Sequence, residues 1–270
     1  MSGVPRTTID LNCDLGEGAP HDAELMPLVT SANIACGGHA GDETTMAATV
    51  ALARQHGVAI GAHPGHADRE HFGRRELPIA PDAAAALVVE QVERLEAVAG
   101  EPPRHVKLHG GLYHQVARDA ELATAVLDAV AGRWPGIVFF APAGSTFVAM
   151  ARSRGLAVAE EAFIDRAYSA DGSLVPRSRP GAVIADPQAA AERAVRLARE
   201  GSIAAIGGGE ASIGADTLCL HGDGLDPVTL ARAVRRALVA AGILPAKIVA
   251  AGFHPAAAGR PRGMDPHRRG

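Results

Sequence analysis

Ile9-Asp10-Leu11-Asn12-Cys13-Asp14 alternates apolar with polar side chains and stops at an acid. Strand side chains alternate between faces, so Ile9, Leu11 and Cys13 share one face and Asp10, Asn12 and Asp14 the other. A parallel strand covered on both faces is normally almost all apolar. Three polar groups on one such face therefore require partners, water or a ligand. The device recurs. Ala32-Asn33-Ile34-Ala35-Cys36-Gly37-Gly38 stops at His39, Val58-Ala59-Ile60-Gly61-Ala62 at His63, Val106-Lys107-Leu108 at His109, and Leu218-Cys219-Leu220 at His221. Every run is short and ends on a residue that can move a proton or hold a metal.

Helical patterns separate these runs. Strands are expected at 8–14, 32–36, 58–62, 104–108, 137–141, 156–163, 203–206 and 217–220. Helices are expected at 22–29, 43–56, 82–99, 119–131, 145–154, 188–200 and 227–241. Met46, Val50 and Ala53 give the helical spacing in the second of these, and Gly57 suits its end. Strand–helix alternation predicts an α/β fold, a (β/α) barrel of about seven or eight mostly parallel strands. An open doubly wound sheet is the competitor, and periodicity alone does not decide closure. Residues 1–250 read as a single domain and 251–270, rich in Pro, Gly and Arg, as a flexible tail. The 165–186 connection is long for a simple link and is expected to serve function.

At 270 residues the chain suits one barrel, and 47% hydrophobic content supplies its core. Only 3% is aromatic, which argues against a stacking platform for single-stranded nucleic acid. The net charge of −4 is dispersed, so neither a nucleic-acid partner nor a membrane partner is expected. No secretory leader or spanning segment is read, and the three cysteines form no CxxC pair. A cytoplasmic protein with reduced, buried thiols is the expectation.

In a barrel the strand C-termini share one face, and active sites are built there. Asp10, Asn12 and Asp14 would then converge with Lys107, His109, His63 and His221. Ala59 and Gly61 leave space below His63. A buried network of purely structural hydrogen bonds is the plain alternative for any one of these residues. Lys107 is one of only two lysines among 26 basic residues. A compact ammonium whose pKa can shift suits a barrel interior better than a guanidinium.

Several strings are more specific than the fold. They are Asp10-Leu11-Asn12-Cys13-Asp14-Leu15-Gly16-Glu17, Asn33-Ile34-Ala35-Cys36-Gly37-Gly38-His39-Ala40-Gly41-Asp42 and Gly61-Ala62-His63-Pro64. Then come Asp68-Arg69-Glu70-His71-Phe72-Gly73-Arg74, Val106-Lys107-Leu108-His109-Gly110-Gly111-Leu112-Tyr113, Asp165-Arg166-Ala167-Tyr168, Leu174-Val175-Pro176-Arg177 and Cys219-Leu220-His221-Gly222-Asp223. In this order, from about Thr8 to Ala241, they resemble the LamB/YcsF family, whose members form the A subunit of bacterial ATP-dependent 5-oxoprolinase. The sequence departs from that pattern at Gly38, where an aromatic is expected, at Gly65-His66, and at Leu108, where proline is usual.

The resemblance implies a barrel related to the glycoside hydrolase/deacetylase superfamily. It also implies cleavage of 5-oxoproline (pyroglutamate) to L-glutamate, with ATP as co-substrate and two other subunits, B and C, as partners. Asp14 or Glu17 is then the expected general base, and Lys107 with His109 or His63 stabilises negative charge. Arg74, Arg166 or Arg177 holds the substrate carboxylate. Asp10, Asn12, Asn33, His39, Tyr113, His221 and Asp223 complete the expected substrate-binding set. No GxxxxGK[ST] string is present, and Gly207-Gly208-Gly209-Glu210 reads as a turn, so ATP is expected at an unusual site or on the partners. A divalent metal on Asp14, His39, His63 and His109 is an alternative, because superfamily deacetylases use an Asp and two His. Two other readings stand beside the first: a metal-dependent deacetylase or amidohydrolase acting alone, and a non-catalytic protein that binds 5-oxoproline for its partners.

Overall fold

The computed structural model describes residues 7–248. Its strands are β1 (Thr8–Leu15), β2 (Ser31–Ala35), β3 (Ala59–His63), β4 (His105–Lys107), β5 (Val138–Pro142), β6 (Val158–Phe163), β7 (Ser202–Ala204), β8 (Glu210–Ser212), β9 (Thr217–His221) and β10 (Leu244–Pro245). β1 to β6 and then β9 pair in parallel, and β9 pairs back onto β1. The result is a closed barrel of seven parallel strands. An open sheet is excluded by the β1–β9 register, which runs from Asp10↔Thr217 to Asp14↔His221.

The strand expected near 203–206 is not a stave. β7 and β8 form a separate antiparallel ribbon, turned by Gly207, Gly208 and Gly209, all at positive φ. β10 adds to the far edge of β1 through Thr8↔Leu244. The tail expected at 251–270 lies outside the described residues.

The helices are α1 (Asp22–Leu25), α2 (Glu43–His56), α3 (Pro81–Ala99), α4 (Gly110–Arg118), α5 (Ala120–Arg133), α6 (Thr146–Ser153), α7 (Pro187–Glu200) and α8 (Pro227–Ala240). Side-chain caps start most of the long ones. Asp42, Asp119, Asp186 and Asp226 each accept a backbone N–H of the first turn. α4 was not expected, since Gly110-Gly111 is a poor helix opening. Both glycines are sterically required. A Cβ on Gly110 would meet the Gly73 carbonyl at 2.5 Å, and one on Gly111 the Arg75 carbonyl at 2.2 Å. No described helix is long and apolar enough to cross a membrane.

Ile9, Leu11, Cys13, Leu15, Ile34 and Val106 join the main apolar cluster, which also holds the buried faces of the surrounding helices. Val138, Phe140 and Ala159 form a small separate cluster. The rest of the interior is largely polar. At its base Asp10 accepts hydrogen bonds from Thr30 Oγ1 and Ser31 Oγ, both at 2.7 Å, and from Thr217 Oγ1 at 2.5 Å. One layer up, Asn33 donates to Asn12 Oδ1 at 2.7 Å and accepts from His105 Nε2 at 2.8 Å. The His105 ring stacks on Phe140 with centroids 4.2 Å apart. Burial and the nearby Lys107 push this imidazole down to about 3, so it is neutral.

The space expected beside Gly61 is filled by that ring. A Cβ on Gly61 would come within 2.0 Å of His105 Nε2. Gly61→Ala is expected to destabilise the fold by about 1–3 kcal/mol or more, read by urea unfolding, as overpacked interiors do. Trimming the imidazole in Gly61→Ala/His105→Ala should recover part of the loss. A double variant as unstable as the sum of its parts would show that the clash is not the cause.

Burial raises the Asp10 carboxyl to about 6, against three hydroxyl donors that lower it. A carboxyl raised on folding favours the folded state while protonated. That contribution is complete below its ordinary value near ~4 and is lost as pH climbs through about 6. Asp10→Asn has no such titration. The stability of the native protein relative to Asp10→Asn should therefore fall between roughly pH 4 and 7, by up to about 3 kcal/mol. A pH-independent difference in urea unfolding would refute the buried-carboxyl account.

Candidate active site

A cavity of about 880 Å³ opens at the C-terminal ends of the barrel strands. Lys107, from β4, reaches its floor. The ammonium lies 2.8 Å from Asp14 Oδ1, 3.0 Å from Glu161 Oε1 and 3.0 Å from Cys219 Sγ. Burial alone would lower the Lys107 pKa, but Asp14, Cys219 and Glu161 outweigh it and hold it well above the usual lysine value. Burial likewise works against the Asp14 carboxylate, yet His63 and Lys107 keep it well below the usual carboxylate range. Both groups are charged. Tyr113 OH donates to Glu161 Oε2 at 2.6 Å, leaving Oε1 facing the ammonium without an aligned donor among the described residues.

Beside this centre sits a knot of three histidines and one acid. Glu17 Oε1 lies 3.0 Å from His39 Nε2, 3.4 Å from His109 Nδ1 and 3.7 Å from His63 Nε2. His39 stacks flat on His109 with centroids 3.6 Å apart. Burial lowers the His39 and His109 pKa values, whereas the Asp14 charge outweighs burial at His63 and raises its value. The loop after β3 closes over the knot. Phe72 adopts φ 55, a left-handed conformation that disfavours a bulky residue, and its carbonyl lies 2.8 Å from His109 Nε2. Gly73 follows at φ 62, where a Cβ would strike His39 Cβ at 2.6 Å.

Across the floor, His221 Nδ1 lies 2.7 Å from Asp165 Oδ2, and the ring stacks on Phe163. Burial opposes the Asp165 charge, but His221 outweighs it and lowers the carboxyl. The rim is cationic. Arg74 pairs with Asp223, and Arg177 stands 3.9 Å from the same carboxylate. Arg166 donates to the Val175 carbonyl at 2.7 Å, and its buried Nε has no partner among the described residues. Its pKa is lowered by burial and by Arg177. The 165–186 connection supplies this wall. Bridges Arg166↔Val183 and Tyr168↔Leu174 and a small cluster of Ala167, Val175 and Ala182 make it an ordered flap.

Asp14, Glu17, His63, Lys107 and His109 all line the cavity, as do Arg74, Tyr113, Arg166, Arg177, His221 and Asp223. Asp10, Asn12, Asn33 and His39 do not line it, which corrects their expected contact with substrate. Asp10 lies at the barrel base. Asn12 and Asn33 are fully buried, holding Thr217, Asp14 and His105. His39 sits behind Glu17. The expected metal set is revised as well. The acid that converges with all three histidines is Glu17, while Asp14 reaches His63 alone, with Oδ2 3.3 Å from Nε2, and its Oδ1 takes hydrogen bonds from Asn33 and Lys107.

Sequence reasoning missed Glu161 and Asp165. Glu161 carried a signal, an acid inside the apolar strand Val158-Ala159-Glu160-Glu161-Ala162-Phe163 with the parity of Ala159 and Phe163. The departures at Gly38 and Gly65 are linked. A Cβ on Gly38 would meet Gln91 Oε1 at 2.5 Å, and Gln91 exchanges two hydrogen bonds with the Gly65 backbone. Gln91 thus occupies the volume an aromatic at 38 would need. Cys36, a candidate thiol near the site, is buried and pushed up to about 12 by that burial, so it packs rather than reacts.

Water-shielded opposite charges at the floor and arginines at the rim suit a small anionic substrate whose reaction develops negative charge. Comparison with known proteins agrees with this architecture. The LamB/YcsF family profile matches residues 9–254. A protein from Heliobacterium modesticaldum (strain ATCC 51547 / Ice1), named as the A subunit of 5-oxoprolinase, is 49% identical over 91% of this chain and 98% of its own length. The crystal structure of a lactam utilization protein from Thermus thermophilus is 44% identical, covering 88% of this chain and 99% of that one, with a TM-score of 0.83. A family 4 carbohydrate esterase from Streptomyces lividans shares the fold alone, at 11% identity and a TM-score of 0.50 over 92% of this chain and 96% of that one. With nearly its whole length matched, the chain belongs to the LamB/YcsF family.

Proposed function

We propose that this chain is the A subunit of an ATP-dependent 5-oxoprolinase, a lactam hydrolase that works with two partner subunits, B and C. The observation that carries the reading is the Lys107 ammonium between Asp14 and Glu161 on the cavity floor. It is supported by the 49% identical relative named for that activity and by the lactam utilization protein.

A lactam resists attack because its nitrogen donates into the carbonyl. Transfer of the ATP γ-phosphoryl group to the ring carbonyl oxygen releases ADP and removes that resistance. A water oxygen then bonds to the carbonyl carbon, and Asp14 or Glu17 accepts its proton. Lys107, with His63 and His109 nearby, stabilises the negative charge on the tetrahedral carbon's oxygens. The ring C–N bond breaks, the nitrogen takes a proton, and an acyl phosphate is left. A second water splits that to glutamate and phosphate. Asp165 fixes the His221 ring at Nδ1, which suits the other ring nitrogen to deliver the proton to the departing amine. Arg166, with Arg74 and Arg177, holds the substrate carboxylate. With no P-loop string in the sequence, this reading has ATP held at an unusual site or mainly by the partners.

ATP-dependent glutamate release from 5-oxoproline should require all three subunits, measured with each omitted in turn. Activity of the isolated chain on acetylated sugars would instead favour a deacetylase acting alone. Lys107→Met in the assembled enzyme should lower kcat by roughly 10²–10³, the loss expected when one oxyanion-stabilising group is removed. Near-normal turnover in a folded variant would take Lys107 out of the chemistry. A change in KM alone would mark the chain as a binding component without a chemical role.

A further inference from the structure

The histidine knot has a hydrogen-bonding arrangement that the lactam chemistry does not explain. His63 Nδ1 lies 2.8 Å from the Lys107 carbonyl oxygen. His109 Nε2 lies 2.8 Å from the Phe72 carbonyl oxygen. A carbonyl only accepts, so these two nitrogens carry the ring protons. The remaining nitrogens, His63 Nε2 and His109 Nδ1, then face each other at 2.9 Å, with Asp14 Oδ2 3.3 Å from His63 Nε2, and whenever both rings are neutral two lone pairs oppose each other. Glu17 Oε1 points more lone pairs at the same spot, 3.7 and 3.4 Å away. His39 brings Nε2 to within 3.0 Å of that oxygen, and its buried Nδ1 has no partner among the described residues. Among the described residues, the only polar contact that orients the His39 ring is therefore at this centre.

Lone pairs gathered in a buried place repel one another unless protons or a cation lie between them. A proton on His63 Nε2 would serve His109 and Asp14, and an Nε2–H of His39 would serve Glu17, but neither draws all four groups to one point. A metal ion is reached by all four ligand atoms, which lie within 4.8 Å of one another. Tetrahedral coordination at ~2.0–2.1 Å separates neighbouring ligands by about 3.3 Å. The four short separations here, 2.9, 3.0, 3.4 and 3.7 Å, surround that value. Backbone carbonyls on the outer nitrogens of two rings are also the support that metal-ligating histidines normally have.

We infer that Glu17, His39, His63 and His109 form a binding site for a zinc-type divalent cation. Three imidazoles and one carboxylate suit a borderline ion such as Zn²⁺ or Co²⁺ over Mg²⁺ or Ca²⁺, which prefer all-oxygen shells. A second group, Asp14 with Cys219 and His221, also converges. It is not the site, because the Lys107 ammonium already stands 2.8 Å from Asp14 Oδ1 and 3.0 Å from Cys219 Sγ. Glu17, His63 and His109 line the cavity, so a cation held there supplies Lewis acidity at its wall. Under the lactam reading, on which this last point alone rests, engaging Glu17 as a ligand leaves Asp14 as the proton acceptor.

The test uses the untagged full-length chain, stripped with EDTA and without partner subunits, so its outcome does not depend on the lactam reaction. Titration calorimetry with ZnCl₂ should give about one equivalent per chain, and Co²⁺ should give the visible d–d bands of a tetrahedral site. Glu17→Gln and His109→Gln should each weaken Zn²⁺ binding at least tenfold, while His221→Asn should not change it. Circular dichroism melts report whether each variant folds. Should His109→Gln fail to fold, Glu17→Gln on its partly exposed loop decides the question. Absence of Zn²⁺ binding overturns the site. So does binding unchanged in Glu17→Gln, or lost in a folded His221→Asn.

Discussion

One buried ammonium organises this molecule. Lys107 enters the barrel from β4 and meets Asp14 of β1 and Glu161 of β6, tying staves that are not neighbours. Taking three charges out of water costs several kcal/mol for each ion, and good geometry is needed to offset it. That geometry is supplied from below. Asn33 holds Asp14, Asn12 holds Asn33 and Thr217, and Thr217 holds Asp10. Tyr113 holds Glu161 from the side. The polar column is continuous from base to mouth, so an error in any stave register would strand a charge.

The chain accepts this arrangement because its apolar packing lies elsewhere. Alanine, valine and leucine on the outward strand faces meet the helices in one large cluster, while Val138, Phe140 and Ala159 form a small separate apolar patch. Low aromatic content follows naturally. The interior has room for short amides, hydroxyls and imidazoles, and the His105 and Phe140 rings lie against each other.

Much of this was legible in the sequence. Period-two alternation in 9–14 gave strand and face together, and runs ending at His63, His109 and His221 placed the mouth. What alternation cannot give is depth. Asp10, Asn12 and Asp14 share a face, yet only Asp14 is high enough to reach the cavity. Nor does it give the partner across the barrel, which is why Glu161 and the filling of the Gly61 gap by His105 went unread. The stave expected at 203–206 failed for a different reason. A short apolar run looks the same in a barrel and in a ribbon, and only the pairing of β6 with β9 excludes it. α4 was hidden because its two glycines answer to neighbouring carbonyls instead of helix propensity.

Since β6 pairs directly with β9, the whole excursion from Ile164 to Asp216 adds no stave to the barrel. It nonetheless furnishes one wall of the cavity, from Arg166 to Arg177 and again at Ile213. Most of this wall and the Lys107 centre thus come from different stretches of the chain, although Asp165 of the excursion also fixes His221 on the floor. Insertions or deletions in the excursion can reshape what enters without disturbing the charged column, so divergence in substrate range among homologous proteins has a ready place to accumulate.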